Sequence, residues 1–366
     1  MGAFEYVFPA IRGVQAGREY YVSMCPMGLI PKIFLFDEEE LRPELRAQRT
    51  LNKGRIPEMA RYLVENRNDY VFSAITASVD ASVKFESLAP EGEGERVGVV
   101  RIPMNAKFII NDGQHRRAAI EAALGERPEL ADETIAVVFF LDKGLARCQQ
   151  MFADLNRHAV RPSRSLGLLY EHRDEMAKLT KLVVFNSDVF GDVVEMERSN
   201  LSARSRKLFT LSAIHTATRE LLAGMEVEEA EEGAKLAVEF WEQVAKQFPE
   251  WDRVRKHKMS AGELRSDFIH SHGVVLQAIG KAGNALLRTH ERGWKRRLAR
   301  LRGLDWRRTN AADWEGRAMI GGRVSKAATQ VTLTTNVIKR TLGLELSPDE
   351  QRVEDAFQRG EYAHAS

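Results

Sequence analysis

The pentapeptide Asp112-Gly113-Gln114-His115-Arg116 stands between a short apolar segment and a strong helix former. Residues 107–111 predict a strand, and residues 117–124 predict a helix that ends at Gly125. The first amide groups of a helix lack internal partners and the helix dipole is positive there, so this turn can hold an anion. Gly113 allows close approach, and Arg116 adds a forked donor that matches phosphate. Alternatively, Asp112 only caps the helix.

A nucleoside triphosphate with Mg²⁺ is the cofactor that such a turn would suit, held by Asp112, Gly113, Gln114, His115 and Arg116. Hydrolysis would also need a base for the attacking water, and Asp112 and His115 are the candidates. Asp112 serves equally well as a cap and His115 as a ligand contact. The sequence therefore leaves the catalytic residue unknown.

A second polar group, Asn156, Arg157 and His158, closes a predicted helix over residues 146–155. An amide, a cation and an imidazole together could line a ligand site, and Asn156 and Arg157 are the candidates for contacts to the nucleotide. Asn and His also commonly end helices, which is the structural alternative.

Positive charge is concentrated locally, although 54 Lys and Arg residues nearly balance 52 Asp and Glu residues and the net charge is +2. Residues 288–308, hereafter the basic stretch, contain nine Lys and Arg residues against Glu291 and Asp305. Cations on one helical stripe neutralise DNA phosphates and release counterions. The alternatives are a solvated helix face or pairing with the acidic run at residues 226–232. The predicted DNA-binding residues are Arg49, Lys53, Arg55, Arg288, Arg292, Lys295, Arg296, Arg297 and Arg300.

Asp112–Arg116 matches the signature of the DGQHR-domain family, which includes the DndB proteins of bacterial DNA phosphorothioation (DNA sulfur modification) systems. Residues 49–63 and 152–159 resemble upstream and downstream segments of DndB-type proteins, and residues 264–269 and 305–308 are similar to C-terminal family features. Gly113, Arg116 and Ala119 also match a Gly-x-x-Arg-x-x-Ala turn of the ParB/sulfiredoxin superfamily, which holds a nucleoside triphosphate.

The resemblance implies a DNA-binding regulatory component of a phosphorothioation system, associated with transcriptional control of the modification genes. Its partners would be promoter DNA and other proteins of that system, and a homo-oligomer is left open. The alternative is a nucleotide hydrolase that energises or switches a DNA-modification complex. Both activities are compatible with one molecule.

Composition bounds the remaining classes of protein. With 44% hydrophobic and 29% charged residues, the chain has the make-up of a globular protein, and its 366 residues exceed one ordinary core. A membrane span and a signal peptide are not expected, so the predicted location is the cytoplasm. The distant Cys25 and Cys148 fit a reducing compartment, and Cys25 is expected to be structural. No metal site is predicted, since His270 and His272 would face different directions on a helix.

The predicted fold class is α+β (mixed α/β), with a ParB/sulfiredoxin-like domain over residues 1–145 and a mostly helical domain over residues 146–366. β-Branched and aromatic residues predict strands at 20–24, 32–36, 71–77, 97–102 and 134–141, the last one central. Helices are predicted at 56–65, 146–155, 165–184, 207–222, 230–248, 268–288 and 326–342. Gly280 and Gly283 are expected to permit close helix packing.

Overall fold

The computed structural model describes residues 4–34, 53–141, 148, 150–151, 153–155, 162–225, 230–290 and 292–361. The chain divides into two compact units, residues 1–160 and 161–366. The first contains a seven-stranded sheet, and the described part of the second consists mainly of helices. This confirms the predicted mixed α+β class.

The sheet of the first unit has the order β4-β5-β1-β2-β7-β3-β6. Its strands are β1 (Glu5–Gln15), β2 (Arg18–Pro26), β3 (Ile75–Asp80), β4 (Lys84–Ser87), β5 (Val97–Pro103), β6 (Lys107–Asp112) and β7 (Thr134–Phe140). Neighbouring strands are antiparallel except β3 and β7, which are parallel. The apolar strand β7 is internal, as predicted, and β6 lies at an edge.

Alternation along the strands buries one side of this sheet, as in β5 and β7, where every second residue is buried. The first unit also contains helices α1 (Ile30–Ile33), α2 (Ile56–Glu65) and α3 (Gln114–Glu126), and short 3₁₀ segments at Met27–Leu29, Lys53–Arg55, Gly92–Arg96 and Pro128–Asp132. Leu63 of α2 and Ile120 of α3 join Val100 and Phe139 in one core. The sheet therefore fixes where α3, the helix that follows Gly113, begins.

Eleven further helices are described in the second unit. They are α4 (Arg164–Tyr170), α5 (Glu175–Asn186), α6 (Leu211–Leu222), α7 (Ala230–Ala245), α8 (Pro249–Arg255), α9 (Ala261–Asp267), α10 (Gly273–Thr289), α11 (Trp294–Leu298), α12 (Ala311–Trp314), α13 (Ala328–Leu342) and α14 (Pro348–Gln358). Residues Gly191–Val193 and Ala299–Gly303 form 3₁₀ segments. Two two-stranded ladders pair β8 (Val194–Glu195) with β9 (Phe209–Thr210) and β10 (Met319–Ile320) with β11 (Arg323–Val324).

Glycines bring the central helices of this unit close together. A Cβ atom on Gly280 would lie 2.2 Å from the carbonyl oxygen of Ala217, and one on Gly283 would lie 2.3 Å from the ring of Phe240. No side chain fits at these distances, so α10 can approach α6 and α7 only with glycine there. This confirms the packing role predicted for Gly280 and Gly283.

Sequence predictions and structure differ at several elements. The pattern of residues 32–36 predicts a strand, but Ile30–Ile33 form a helical turn that buries Ile30 and Ile33. The helix predicted over residues 165–184 is two helices, because Asp174 caps α5 through the amide of Ala177 at 2.6 Å. Only part of the basic stretch was predicted as a helical stripe, and its described residues include the end of α10, the five-residue helix α11 and a 3₁₀ segment.

Candidate functional site

The turn at Asp112–Arg116 joins the edge strand β6 to helix α3. Gly113 has φ of +115° and is the N-cap of α3, with no side-chain cap bond at this end. A Cβ atom there would lie 3.0 Å from Cγ1 of Ile75 and in a strained conformation. Gly113 is thus required by the turn, and Asp112 does not cap the helix.

Arg116 points back into the first unit. Its Nη2 atom donates to Oδ2 of Asp112 at 2.6 Å and to the carbonyl oxygen of Ala74 at 3.1 Å. The side chain of Arg116 is 18% exposed, and its buried Nε has no hydrogen-bond partner among the described residues. The guanidinium group therefore ties α3 to β6 and to the chain entering β3. Its buried Nε donor remains without an acceptor among the described residues.

The polar side chains next to Arg116 also include donors to backbone carbonyl oxygens of the first unit. Gln114 is buried and donates to the carbonyl oxygen of Ile110 at 3.1 Å, while His115 is half-buried. Arg117 donates to the carbonyl oxygens of Phe34 and Pro31 and pairs with Glu121. Sequence patterns did not single out Arg117, which is a structural residue.

The turn retains one property that a phosphate site needs: the first amides of α3 have no side-chain cap. The side chains fit a triphosphate with Mg²⁺ less directly, because the Asp112 carboxylate is paired with Arg116. Among the described residues, no three or more His, Cys, Asp or Glu side chains cluster as metal ligands do. Asn156, Arg157 and His158 lie outside the described residues.

The predicted DNA-binding residues of the first unit are spread along one segment. Lys53 and Arg55 belong to an exposed 3₁₀ turn just before α2, whereas Arg49 lies outside the described residues.

Cys25 is fully buried on β2, and burial raises the pKa of its thiol to about 12. A thiol that stays protonated is a poor nucleophile, which agrees with the structural role expected for Cys25.

Several cations of the basic stretch contact the ends of other helices. Arg297 donates to the carbonyl oxygens of Leu342 and Gly343 at 3.2 and 3.3 Å, and Arg300 donates to that of Leu342 at 3.3 Å. These two side chains therefore cap the C-terminus of α13, where the last carbonyls lack helical partners. Arg302 does the same for Lys246 after α7, at 2.6 Å.

Other cations of the stretch are either paired with carboxylates or exposed without a partner among the described residues. Lys295 pairs with Glu239, and Arg307 pairs with Asp305 at 2.8 Å. Arg288, Arg292 and Arg296 are exposed, and within the described residues their side chains have no ion-pair or hydrogen-bond partner. Trp294 and Trp306 are buried in the core. Among its described residues, the stretch thus has three guanidinium groups without a partner.

Sequence reasoning missed a second cationic region, in a cleft of the second unit whose cavity volume is about 1050 Å³. Two acid-free segments contribute to it, residues 203–207 and 254–262. Each is shorter than the basic stretch, and they are some fifty residues apart in sequence. The available signal was the pair Arg-Ser-Arg-Lys and Arg-Val-Arg-Lys-His-Lys, but only the fold brings the two together.

Comparison with known proteins identifies one family. A family model named DndB and described as DNA-sulfur modification-associated matches residues 8–345, nearly the whole chain. The match confirms the family resemblance predicted from Asp112–Arg116. No curated protein and no solved structure matches the chain.

Proposed function

The chain belongs to the DndB family, which is associated with DNA sulfur modification, and from that premise we propose that it is a DNA-binding regulatory component of such a system. Its target would be the promoter of the modification genes, and other proteins of the same system would be its partners. The observation that carries the proposal is the exposed trio Arg288, Arg292 and Arg296, whose side chains have no partner within the described residues. Free guanidinium groups on a surface are the usual contacts to DNA phosphates.

This proposal is tested by titrating one preparation of the protein with promoter DNA, with DNA of unrelated sequence and with nucleotide. We expect both DNAs to bind, because phosphate contacts carry affinity without sequence, and promoter DNA to bind more tightly. Affinity should fall as salt increases. Absence of binding to either DNA at low salt would refute the proposal, and equal affinity for both would refute the regulatory part.

Nucleotide binding at Asp112–Arg116 is a second candidate function, supported by the uncapped first turn of α3 and the left-over Nε of Arg116. Such a protein would hold a nucleoside triphosphate with Mg²⁺ and use it to energise or switch a modification complex.

Within the described residues, none of the helices has the length and apolar character that crossing a bilayer requires.

Calorimetry with ATP, GTP and CTP in the presence of magnesium tests this second function. Replacing Arg116 by Ala should weaken phosphate binding by about 1.5–3 kcal/mol, the worth of one charge-assisted bond. Arg117→Ala is the matched control, because Arg117 lies on the same helix and all three nitrogens of its guanidinium group already donate to Phe34, Pro31 or Glu121. Absence of nucleotide binding by the unmodified protein would refute the idea.

A further inference from the structure

The cleft in the second unit is lined by three segments. These are the residues after α5, the segment 203–207, and the connection between α8 and α9. Six Lys and Arg side chains line it, against four carboxylates. The six, hereafter the cations of the basic cleft, are Arg204, Arg206, Lys207, Arg255, Lys256 and Lys258.

Four of these cations are not neutralised. Lys256 pairs with Asp252 at 2.7 Å, and Lys207 donates to the carbonyl oxygen of Asp192 at 2.7 Å. The side chains of the other four are exposed and have no ion-pair or hydrogen-bond partner in the described parts of the chain. Unneutralised like charges in a concave surface repel one another and raise the local concentration of anions. The basic cleft therefore holds charge that an anion would stabilise.

Arg265 holds one wall of the cleft in place. Its guanidinium donates to the carbonyl oxygens of Ser202 at 2.8 Å, Ser205 at 3.2 Å and Ala203 at 3.3 Å, and also to that of Lys207. One side chain thus fixes the path of the whole segment that carries Arg204 and Arg206. A wall fixed in this way presents its cations without first having to be ordered.

Gly262 allows this wall to lie against α9. A Cβ atom on Gly262 would be 2.5 Å from the carbonyl oxygen of Ala203, a distance that no side chain tolerates. The contact involves backbone, so it could be relieved only by moving the wall. Gly262 and Arg265 therefore act together, one by close approach and the other by hydrogen bonds.

We propose that the basic cleft binds consecutive phosphates of a nucleic acid strand. The inference rests on the proposed DNA-binding function and adds a surface, separate from the basic stretch, that carries it. Three of the four free cations are guanidinium groups, which match phosphate oxygens in pairs. Two of the four free cations lie on one wall of the cleft and two on another. A strand with several phosphates can contact both walls, whereas a ligand with a single carboxylate would contact one cation only. The exposed Asp188 and Asp192 on the third wall repel phosphate and direct the strand to the basic walls.

The test is a triple variant of the full chain in which Arg204, Arg206 and Arg255 are replaced by Gln. The affinity for duplex DNA of unrelated sequence should fall roughly tenfold for each charge-assisted hydrogen bond that the substitutions remove. The slope of log affinity against log salt should become shallower by about 0.9 for each phosphate that is no longer neutralised. The thermal midpoint of unfolding should stay unchanged, because these side chains have no partners within the described structure.

The matched control replaces Lys235, Arg323 and Arg352 by Gln, which removes the same charge from exposed positions of the second unit that do not line the cleft. It should retain most of the affinity. If both triple variants weaken binding equally, or if neither does while the unmodified protein binds DNA, the cleft is not the site although the proposed function stands. If the unmodified protein binds no DNA, both fail.

Free nucleotide is the other source of the same phosphate chemistry. We expect the affinity for ATP and CTP, titrated without DNA, to be the same in the unmodified protein and in the cleft variant, because the cleft is proposed to hold a strand and not a free nucleotide. A cleft variant that keeps its affinity for DNA and loses its affinity for nucleotide would assign the cleft to a free nucleotide and overturn the assignment to a nucleic acid strand.

Discussion

The basic stretch and the basic cleft contain the same kinds of residue but differ in what their side chains contact. In the stretch, Arg297, Arg300 and Arg302 donate to carbonyl oxygens at helix ends, and Lys295 and Arg307 are paired with carboxylates. In the cleft, four of the six cations have no partner among the described residues. Local density of arginine therefore does not measure the charge that is available to a ligand.

Helix ends explain much of the difference. The last four carbonyls of a helix have no partner within it, and a guanidinium group can satisfy two of them at once. The stretch passes the ends of α7 and α13, so its arginines have acceptors within reach. The comparison predicts that cations engaged with the fold affect the free energy of unfolding and that free cations affect the binding of DNA.

The largest effect is expected where engaged cations meet a buried carboxylate. Glu354 is fully buried and accepts from Arg317 at 2.7 Å, from Arg340 at 2.8 Å and from Asn336 at 3.0 Å. Glu354→Ala leaves the mostly buried side chain of Arg317 without its counter-charge and should lower the free energy of unfolding by about 3–5 kcal/mol. Chemical denaturation measures this loss. Glu361→Ala, at an exposed carboxylate paired with Arg359, is the control and should have little effect.

Acid should reproduce the same loss gradually. Burial alone would raise the pKa of Glu354, but bonds from Arg317 and Asn336 and the charges of Arg317 and Arg340 lower it to about 2. A pKa that is lower in the folded state contributes stability that is present above the unfolded value of 4.5 and lost as pH falls toward 2. Between these values, the stability of Glu354→Gln should fall less steeply than that of the unmodified protein. Equal slopes would show that the carboxylate is not held by these arginines.

An intermediate effect is expected at the end of α13. The double change Arg297→Gln and Arg300→Gln removes the donors to Leu342 and Gly343 and should lower the free energy of unfolding by about 1.5–3 kcal/mol. Thermal and chemical unfolding measure it. A fully stable double variant would contradict the distinction between engaged and free cations.

The smallest effect on stability is expected from Arg296, which lies on the same short helix as Arg297 but has no side-chain partner in the described structure. Arg296→Gln should leave the unfolding midpoint unchanged and make the salt slope of DNA binding shallower by about 0.9, as the removal of one phosphate contact would. Fluorescence anisotropy at several salt concentrations measures the slope. A destabilised Arg296→Gln variant with an unchanged salt slope would reverse the comparison.

Sequence patterns predicted the elements that depend on local residues. Helix α2 was predicted with Pro57 in its first turn and α13 with Gly343 as its stop, and β5 and β7 were predicted from their β-branched and aromatic residues. Strand β1 was missed, because six of its eleven residues are exposed and these include the polar Glu5 and Gln15. The family was recognised from the five residues of one turn together with four further segments of the sequence.

The fate of individual charged groups was not predictable in the same way. Arg116 bonds to Asp112 four residues away, which spacing allows, but also to the carbonyl of Ala74, which only the sheet brings near. Likewise, the contact between Arg297 and Leu342 depends on where two helices end in space. The cleft was missed for the same reason, since its two basic segments are separate in sequence.

The spacing of Gly262 and Arg265 offers a marker for recognising related clefts. A bulkier residue at the first position or a shorter side chain at the second would release the segment that Arg265 clamps, whatever cations that segment carries. A chain that keeps this pair at the start of the helix equivalent to α9, with a cationic segment about sixty residues upstream, should therefore form the same cleft, whereas Gly113 and Arg116 have the same spacing but belong to the turn before α3. The pair distinguishes chains that only contain many arginines from chains whose backbone holds those arginines on the wall of a cleft.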